Sequence, residues 1–269
     1  MADWRPKGRT VDNLRGQSNH SFCVADDLDW HQCHAALVLT NSGLPQHVIQ
    51  RGNNCGACFF ADDDYYCYLH WLRKAAADHD VAVHAYVLMA NPVHILATPA
   101  KPGALATMMQ SPGRRYVRYV NATCKRSGTL WEGRYKAGAV DAEDYLLRVY
   151  RYIELNPVRA SMVASPREYQ WSSYAINGGG KASDWLKPHA LYLALGRGPS
   201  ERTEAYLALF QTELDPEDTA RIRTAVNLGI GVGDARFREE LEAAEQAKKK
   251  GGRKRKDEHA QVGEQVDLF

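Results

Sequence analysis

Nothing in the chain approaches the ~18 consecutive apolar residues needed to cross a bilayer, although 45% of its 269 residues are hydrophobic. Nor do the first residues show a basic segment followed by an apolar core, the mark of a secretory leader. The expectation is a cytoplasmic protein with no membrane partner. Cysteine is also sparse: Cys23, Cys33, Cys55, Cys58, Cys67 and Cys124 lie scattered through a chain long enough to bury a core without staples. That argues for free thiols. Cys55-Gly56-Ala57-Cys58 has the spacing of half a zinc site, but no second pair completes it, and the loose group Cys23, His31, Cys33 and His34 matches no zinc module. Internal repeats are lacking too, and with a net charge of only +2 a uniformly charged molecule is excluded.

The charge that is present is unevenly spread. Arg114, Arg115, Arg118, Lys125 and Arg126 cluster mid-chain, and Lys248, Lys249, Lys250, Arg253, Lys254, Arg255 and Lys256 cluster near the end. One basic run is usually a solvated face; two shift the expectation towards a phosphate-rich partner.

Periodicity orders the middle of the chain. Gln46 to Gln50 has strand character and stops at the turn signal Arg51-Gly52-Asn53-Asn54. Asp62-Asp63-Asp64 opens a helix ending near His79-Asp80. Val81 to Met89 and Val93 to Thr98 read as a hairpin around Ala90-Asn91-Pro92, followed by a long helix from Ala104 to about Arg126 that Ser111-Pro112-Gly113 is expected to kink or divide. Leu130 to Ala137 is a further strand candidate. The order strand, helix, strand, strand, helix, strand predicts an α+β, ferredoxin-like antiparallel sheet with helices packed on one face. The other face is expected to stay free for a partner. Beyond the Gly178-Gly179-Gly180 break come short helices, 188–195, 201–214, 216–228 and 235–247, readable as a helix-turn-helix or as a plain helical hairpin.

A last helix precedes that break. Ala142 to Leu155 places Leu146, Val149 and Ile153 near the helical period, and it sets Tyr152 and Asn156 four apart on one face. A phenol and an amide so placed can serve as a nucleophile and a metal ligand, or as a packing residue and a helix cap.

Several motifs decide between these. His47-Val48-Ile49-Gln50-Arg51-Gly52-Asn53-Asn54, Val83 to Met89, Gly113-Arg114-Arg115-Tyr116, Trp131 to Ala137, Tyr152 to Ala160 and Trp171-Ser172-Ser173-Tyr174 together resemble the REP-associated tyrosine transposases. These are a branch of the HUH single-tyrosine transposases of insertion sequences. The resemblance spans about Leu44 to Tyr174. It implies a DNA transposase that binds hairpin-forming single-stranded DNA and cleaves and rejoins it, with Tyr152 as nucleophile and a 5′-phosphotyrosine intermediate. It also implies a divalent ion, Mg or Mn, held by His94 and Asn156, and a possible homodimer. Arg51, Arg114, Arg115, Arg118, Arg134 and Lys136 are the candidates for holding the DNA backbone.

The pattern is broken at one place. Where the family reads Asn-His-x-His, this chain reads Asn91-Pro92-Val93-His94, and proline offers no donor. The metal site is therefore expected to be weakened and activity impaired, with His84, Gln50 or His47 as substitutes. A DNA-binding protein without catalysis, recognising palindromic or hairpin DNA, is the alternative. The expected layout is an unmatched, poorly ordered segment over 1–40, a transposase domain over 41–176, a helical region over 177–247 and a basic, disordered tail over 248–269.

Overall fold

The computed structural model describes residues 42–244 and Gln246. The expectations for residues 1–40 and for the basic tail lie outside the described residues. The chain divides into a compact unit running to Val232 and a second beginning at Gly233. In the second unit residues 235–244 are helical, and Asp234 Oδ1 accepts from the Phe237 amide at 2.7 Å as an N-cap.

The first unit is built on four antiparallel strands: β1 (Gln46–Gln50), β2 (Val81–Leu88), β3 (Val93–Pro99) and β4 (Lys136–Ala139), in the order β2-β3-β1-β4. Helix α1 (Asp62–Asp78) joins β1 to β2, and α2 (Ala104–Thr123) joins β3 to β4. This is the α+β, ferredoxin-like arrangement that the order of elements predicts. The acidic start of α1 is more than dipole compensation, because the buried Asp64 carboxylate accepts from the amides of Phe60 and Ala61 and from the Tyr119 hydroxyl.

Side-chain alternation along β1 assigns the two faces. Gln50 accepts a hydrogen bond from Tyr68 of α1, so the Val48–Gln50 side carries α1 and α2. His47 and Ile49 point the other way, and there the structure departs from expectation. That second face is not left free: α3 (Ala142–Glu154) lays Tyr152 against His47, and the end of α8 (Pro216–Leu228) closes over β4. Gly138 makes the approach feasible, since a Cβ there would stand 2.3 Å from the Ile230 carbonyl oxygen. With both faces covered, β1 is buried along its whole length.

Two smaller expectations also change. The fourth strand starts at Lys136 rather than Leu130, because Trp131 turns in among Tyr68 and Tyr116, and the paired residues are small (Lys-Ala-Gly-Ala), with little β-propensity to announce them. Helix α2 is not divided: Pro112 and Gly113 sit buried within one continuous helix. After α3 come α4 (Asn156–Arg159), α5 (Tyr174–Asn177), α6 (Ala190–Leu193), α7 (Pro199–Ala208) and α8. Among the described residues no helix is long and apolar enough to cross a membrane. Cys58, Cys67 and Cys124 are buried and in no disulfide, as expected, whereas Cys55 is disulfide-bonded. Burial pushes the Cys58 thiol up to about 12, and the disulfide at Cys55 takes the other thiol out of the Cys55–Cys58 pair.

Candidate active site

Tyr152 lies in the last turn of α3, whose first turn is capped by Asp141 and carries Glu143 and Asp144. Across the sheet surface stand two imidazoles. His94 on β3 pairs in register with Ile49, the neighbour of His47 on that face of β1. His47 Nε2 and His94 Nδ1 are 3.0 Å apart, and the rings stack with centroids separated by 5.2 Å. The Tyr152 ring meets both edge-on, 5.6 Å from His47 and 6.0 Å from His94. The phenol and the imidazole at position 94 thus converge on one side of the sheet. The three rings are close-packed, with Tyr152 4%, His94 3% and His47 1% exposed.

Burial sets the protonation of the pair. Desolvation, and then the Arg159 charge, brings His47 down to about 3. Desolvation also holds His94 well below its ordinary value, helped by His47, Arg159 and Arg51. Both imidazoles are therefore neutral at pH 7: one nitrogen of the 3.0 Å contact donates, the other accepts, and only the donating ring keeps a free lone pair, on its second nitrogen.

Pro157 interrupts the helix after Leu155, and Arg159 repairs the break. Its guanidinium donates to the Tyr152 carbonyl at 2.8 Å and to Asn156 Oδ1 at 2.7 Å, and it lies 4.1 Å over the Tyr152 ring. Asn156 is buried and its Nδ2 has no partner, and His47 Nδ1 is likewise unpartnered. Behind the tyrosine, the fully buried Glu154 accepts from Ser173 Oγ (2.6 Å), Asn177 Nδ2 (2.8 Å) and Tyr206 Oη (2.8 Å), pinning the end of α3. Burial raises this carboxyl to about 7 against the three hydrogen bonds that oppose the shift.

Of the three side chains expected to substitute for the absent histidine, His47 alone stands beside His94. His84 spends both ring nitrogens on the Lys187 carbonyl and the Thr98 hydroxyl, and Gln50 faces α1. Asn91 holds the turn at Gly52 and Gly56 together. Among the described residues no group of three or more His, Cys, Asp or Glu is placed to hold a metal. The donor set to be judged is thus His47, His94 and Asn156.

The basic candidates divide between the faces. Lys136 pairs with Ile49 and so lies on the tyrosine side, and Arg134 is exposed in the loop before it. Arg51 donates to Asn227 of α8 at 3.2 Å. Arg114, Arg115 and Arg118 are exposed on α2, across the sheet from Tyr152. Sequence reasoning gave Arg159 no role, although it lies within the Tyr152 to Ala160 motif, a cation three residues after Asn156 on the helix that continues α3.

A family model described as an IS200-like transposase matches residues 42–156. No curated protein matches. Among solved structures, the chain resembles a REP-associated tyrosine transposase bound to a REP hairpin at 15% identity and a TM-score of 0.46, over 56% of this chain and 92% of that one. It also resembles a candidate transposase from Deinococcus radiodurans R1 at 20% identity and a TM-score of 0.31, over 41% and 88%. The match to the IS200-like transposase family thus falls on residues 42–156, the segment that carries the sheet, the histidine pair, Tyr152 and Asn156.

Proposed function

We propose that the chain is a single-tyrosine DNA transposase of the REP-associated kind, cleaving and rejoining hairpin-forming single-stranded DNA with Tyr152 as nucleophile. The observation that supports this most is the convergence of Tyr152 with His47 and His94, 5.6 and 6.0 Å between ring centres, beside Arg159 and Asn156. In the cleavage step the Tyr152 oxygen bonds to phosphorus and the bond from phosphorus to the 3′ oxygen breaks. That oxygen leaves with the electron pair and takes up a proton as a 3′-hydroxyl, while the 5′-phosphate stays on the tyrosine. The link conserves the energy of the broken ester, so rejoining runs the same exchange backwards.

A tyrosine hydroxyl, with an ordinary pKa of about 10, needs both proton removal and charge relief at the phosphate. Neutral His94 or His47 can receive the phenolic proton, and Arg159, already over the ring, can pair with the phosphate's charge. A divalent Mg or Mn ion, when bound, supplies further polarisation of the scissile phosphate. His94, Asn156 and, in place of the absent side chain at Pro92, His47 are the residues that would hold it. Two neutral imidazoles and the unpartnered buried atom His47 Nδ1 fit such a role, whereas the unpartnered Asn156 Nδ2 is an N–H donor and cannot ligate. Against full strength stands Arg159, which occupies the Asn156 oxygen that would ligate.

One observation favours a second reading, a DNA-binding protein without catalysis. The rings of Tyr152, His94 and His47 are packed against one another, and a phosphate can enter only if they part. A suicide oligonucleotide hairpin incubated with Mn²⁺ separates the two. Covalent adduct with the natural chain and none with Tyr152→Phe supports the transposase; adduct only with Pro92→His supports a binding protein whose chemistry is lost.

A further inference from the structure

A cleft of about 590 Å³ opens beside the end of α3, between Leu155 and Arg159 on one side and the stretch from Phe210 to Arg223 on the other. Its size suits a small ligand. Both cations on its wall are arginines, and they stand close enough for their charges to oppose each other. Arg159 is engaged with Asn156 and Tyr152, but Arg223 is half-buried with no hydrogen bond or ion pair to any acceptor among the described residues. The wall's single carboxylate, Glu213, forms no ion pair with either arginine. Two like charges held in one cleft with neither paired to the carboxylate cost free energy that an anion would recover, and a guanidinium pair matches a phosphate's oxygens. The remainder of the wall, Leu155 and Phe210 included, is largely apolar and suits a flat ring.

We propose that this cleft holds one nucleotide of single-stranded DNA next to the bond that Tyr152 attacks, its phosphate between Arg159 and Arg223 and its base against Phe210 and Leu155. The inference rests on the transposase reading, because Arg159 touches both the cleft and the tyrosine ring. It would give the enzyme a grip on the unpaired strand flanking a hairpin that is separate from any contact with the hairpin itself.

The test is equilibrium binding, in a Tyr152→Phe background so that no cleavage intervenes, of a labelled DNA hairpin with and without a single-stranded extension, over a salt series. Arg223→Gln is expected to weaken binding of the extended hairpin by about tenfold and to lower its salt slope by about one. The hairpin without extension should bind unchanged, Arg223→Lys should keep the slope, and an unpaired arginine should be replaceable without change in melting temperature. If Arg223→Gln binds the extended hairpin as tightly as the parent, or weakens both hairpins equally, the cleft assignment is overturned. Adduct formation by the natural chain, measured separately, reports on the tyrosine chemistry. An Arg223-dependent grip without adduct leaves the cleft standing and removes the cleavage.

Discussion

At the scale of single residues, the site turns on what replaces one imidazole. At the proposed metal site, Pro92 removes a donor one position before β3 begins, and the neighbouring strand would return one, since β1 pairs antiparallel with β3 and brings His47 within 3.0 Å of His94. The exchange is imperfect, because the two imidazoles bind each other and Arg159 binds the Asn156 oxygen. Restoring the donor should therefore help. Pro92→His places an imidazole two positions from His94, on the same side of the strand, and we expect Mn²⁺ to bind about tenfold more tightly or better. Calorimetric titration of the two proteins checks this directly, and equal affinities would show that position 92 lies outside the metal's reach. Nothing in the sequence around His47 marks it as His94's partner, because the pairing is a matter of strand register across 47 positions.

At the scale of elements, α3 is held by a buried acid. Glu154 ties it to Ser173, to Asn177 of α5 and to Tyr206 of α7. Its carboxyl is raised from 4.5 to about 7, so the folded protein binds a proton that the unfolded chain releases. The stabilisation is complete below about pH 4.5 and is lost as pH rises through about 7. The difference is on the order of 3 kcal/mol. Urea melts of Glu154→Gln at pH 5 and pH 8 should show a much flatter pH dependence than the natural chain; an unaltered slope would mean that another group sets it. The closure of α8 over β4 makes a second prediction. Gly138→Val pushes a side chain into the Ile230 carbonyl, where even a Cβ stands 2.3 Å away, and should cost about 2 kcal/mol or more in a denaturant melt. A melt within a few tenths of the natural chain's would show that α8 moves aside freely.

At the scale of the whole molecule, the order of elements was legible because the periods of strand and helix switch cleanly from Gln46 to Glu154 and turn residues separate them. That sequence of elements points to the ferredoxin-like arrangement, and the observed sheet order agrees with it. The covering of both sheet faces was not legible. Tyr152 sits on an amphipathic helix whose apolar side could have packed anywhere, and Gly138 reads as a strand breaker until the α8 segment is seen against it. For the same reason the sequence does not sort the basic DNA-backbone candidates by face, whereas in the fold Lys136 lies with Tyr152 and the α2 arginines lie across the sheet. Tyr152 and His94 were identifiable from their motifs; Arg159, which caps α3, lies over the tyrosine and lines the cleft, acquires those roles only when the chain is folded.

The central claim is that the Tyr152 oxygen becomes joined to a DNA 5′-phosphate. Mass spectrometry of the protein after incubation with a hairpin oligonucleotide and Mn²⁺, then trypsin and nuclease, tests it most directly. The peptide running from Tyr152 to Arg159 should carry the added mass of a 5′-phosphorylated nucleotide on its tyrosine. Finding that peptide wholly unmodified while the DNA is cut, or finding the adduct on another residue, would contradict the account.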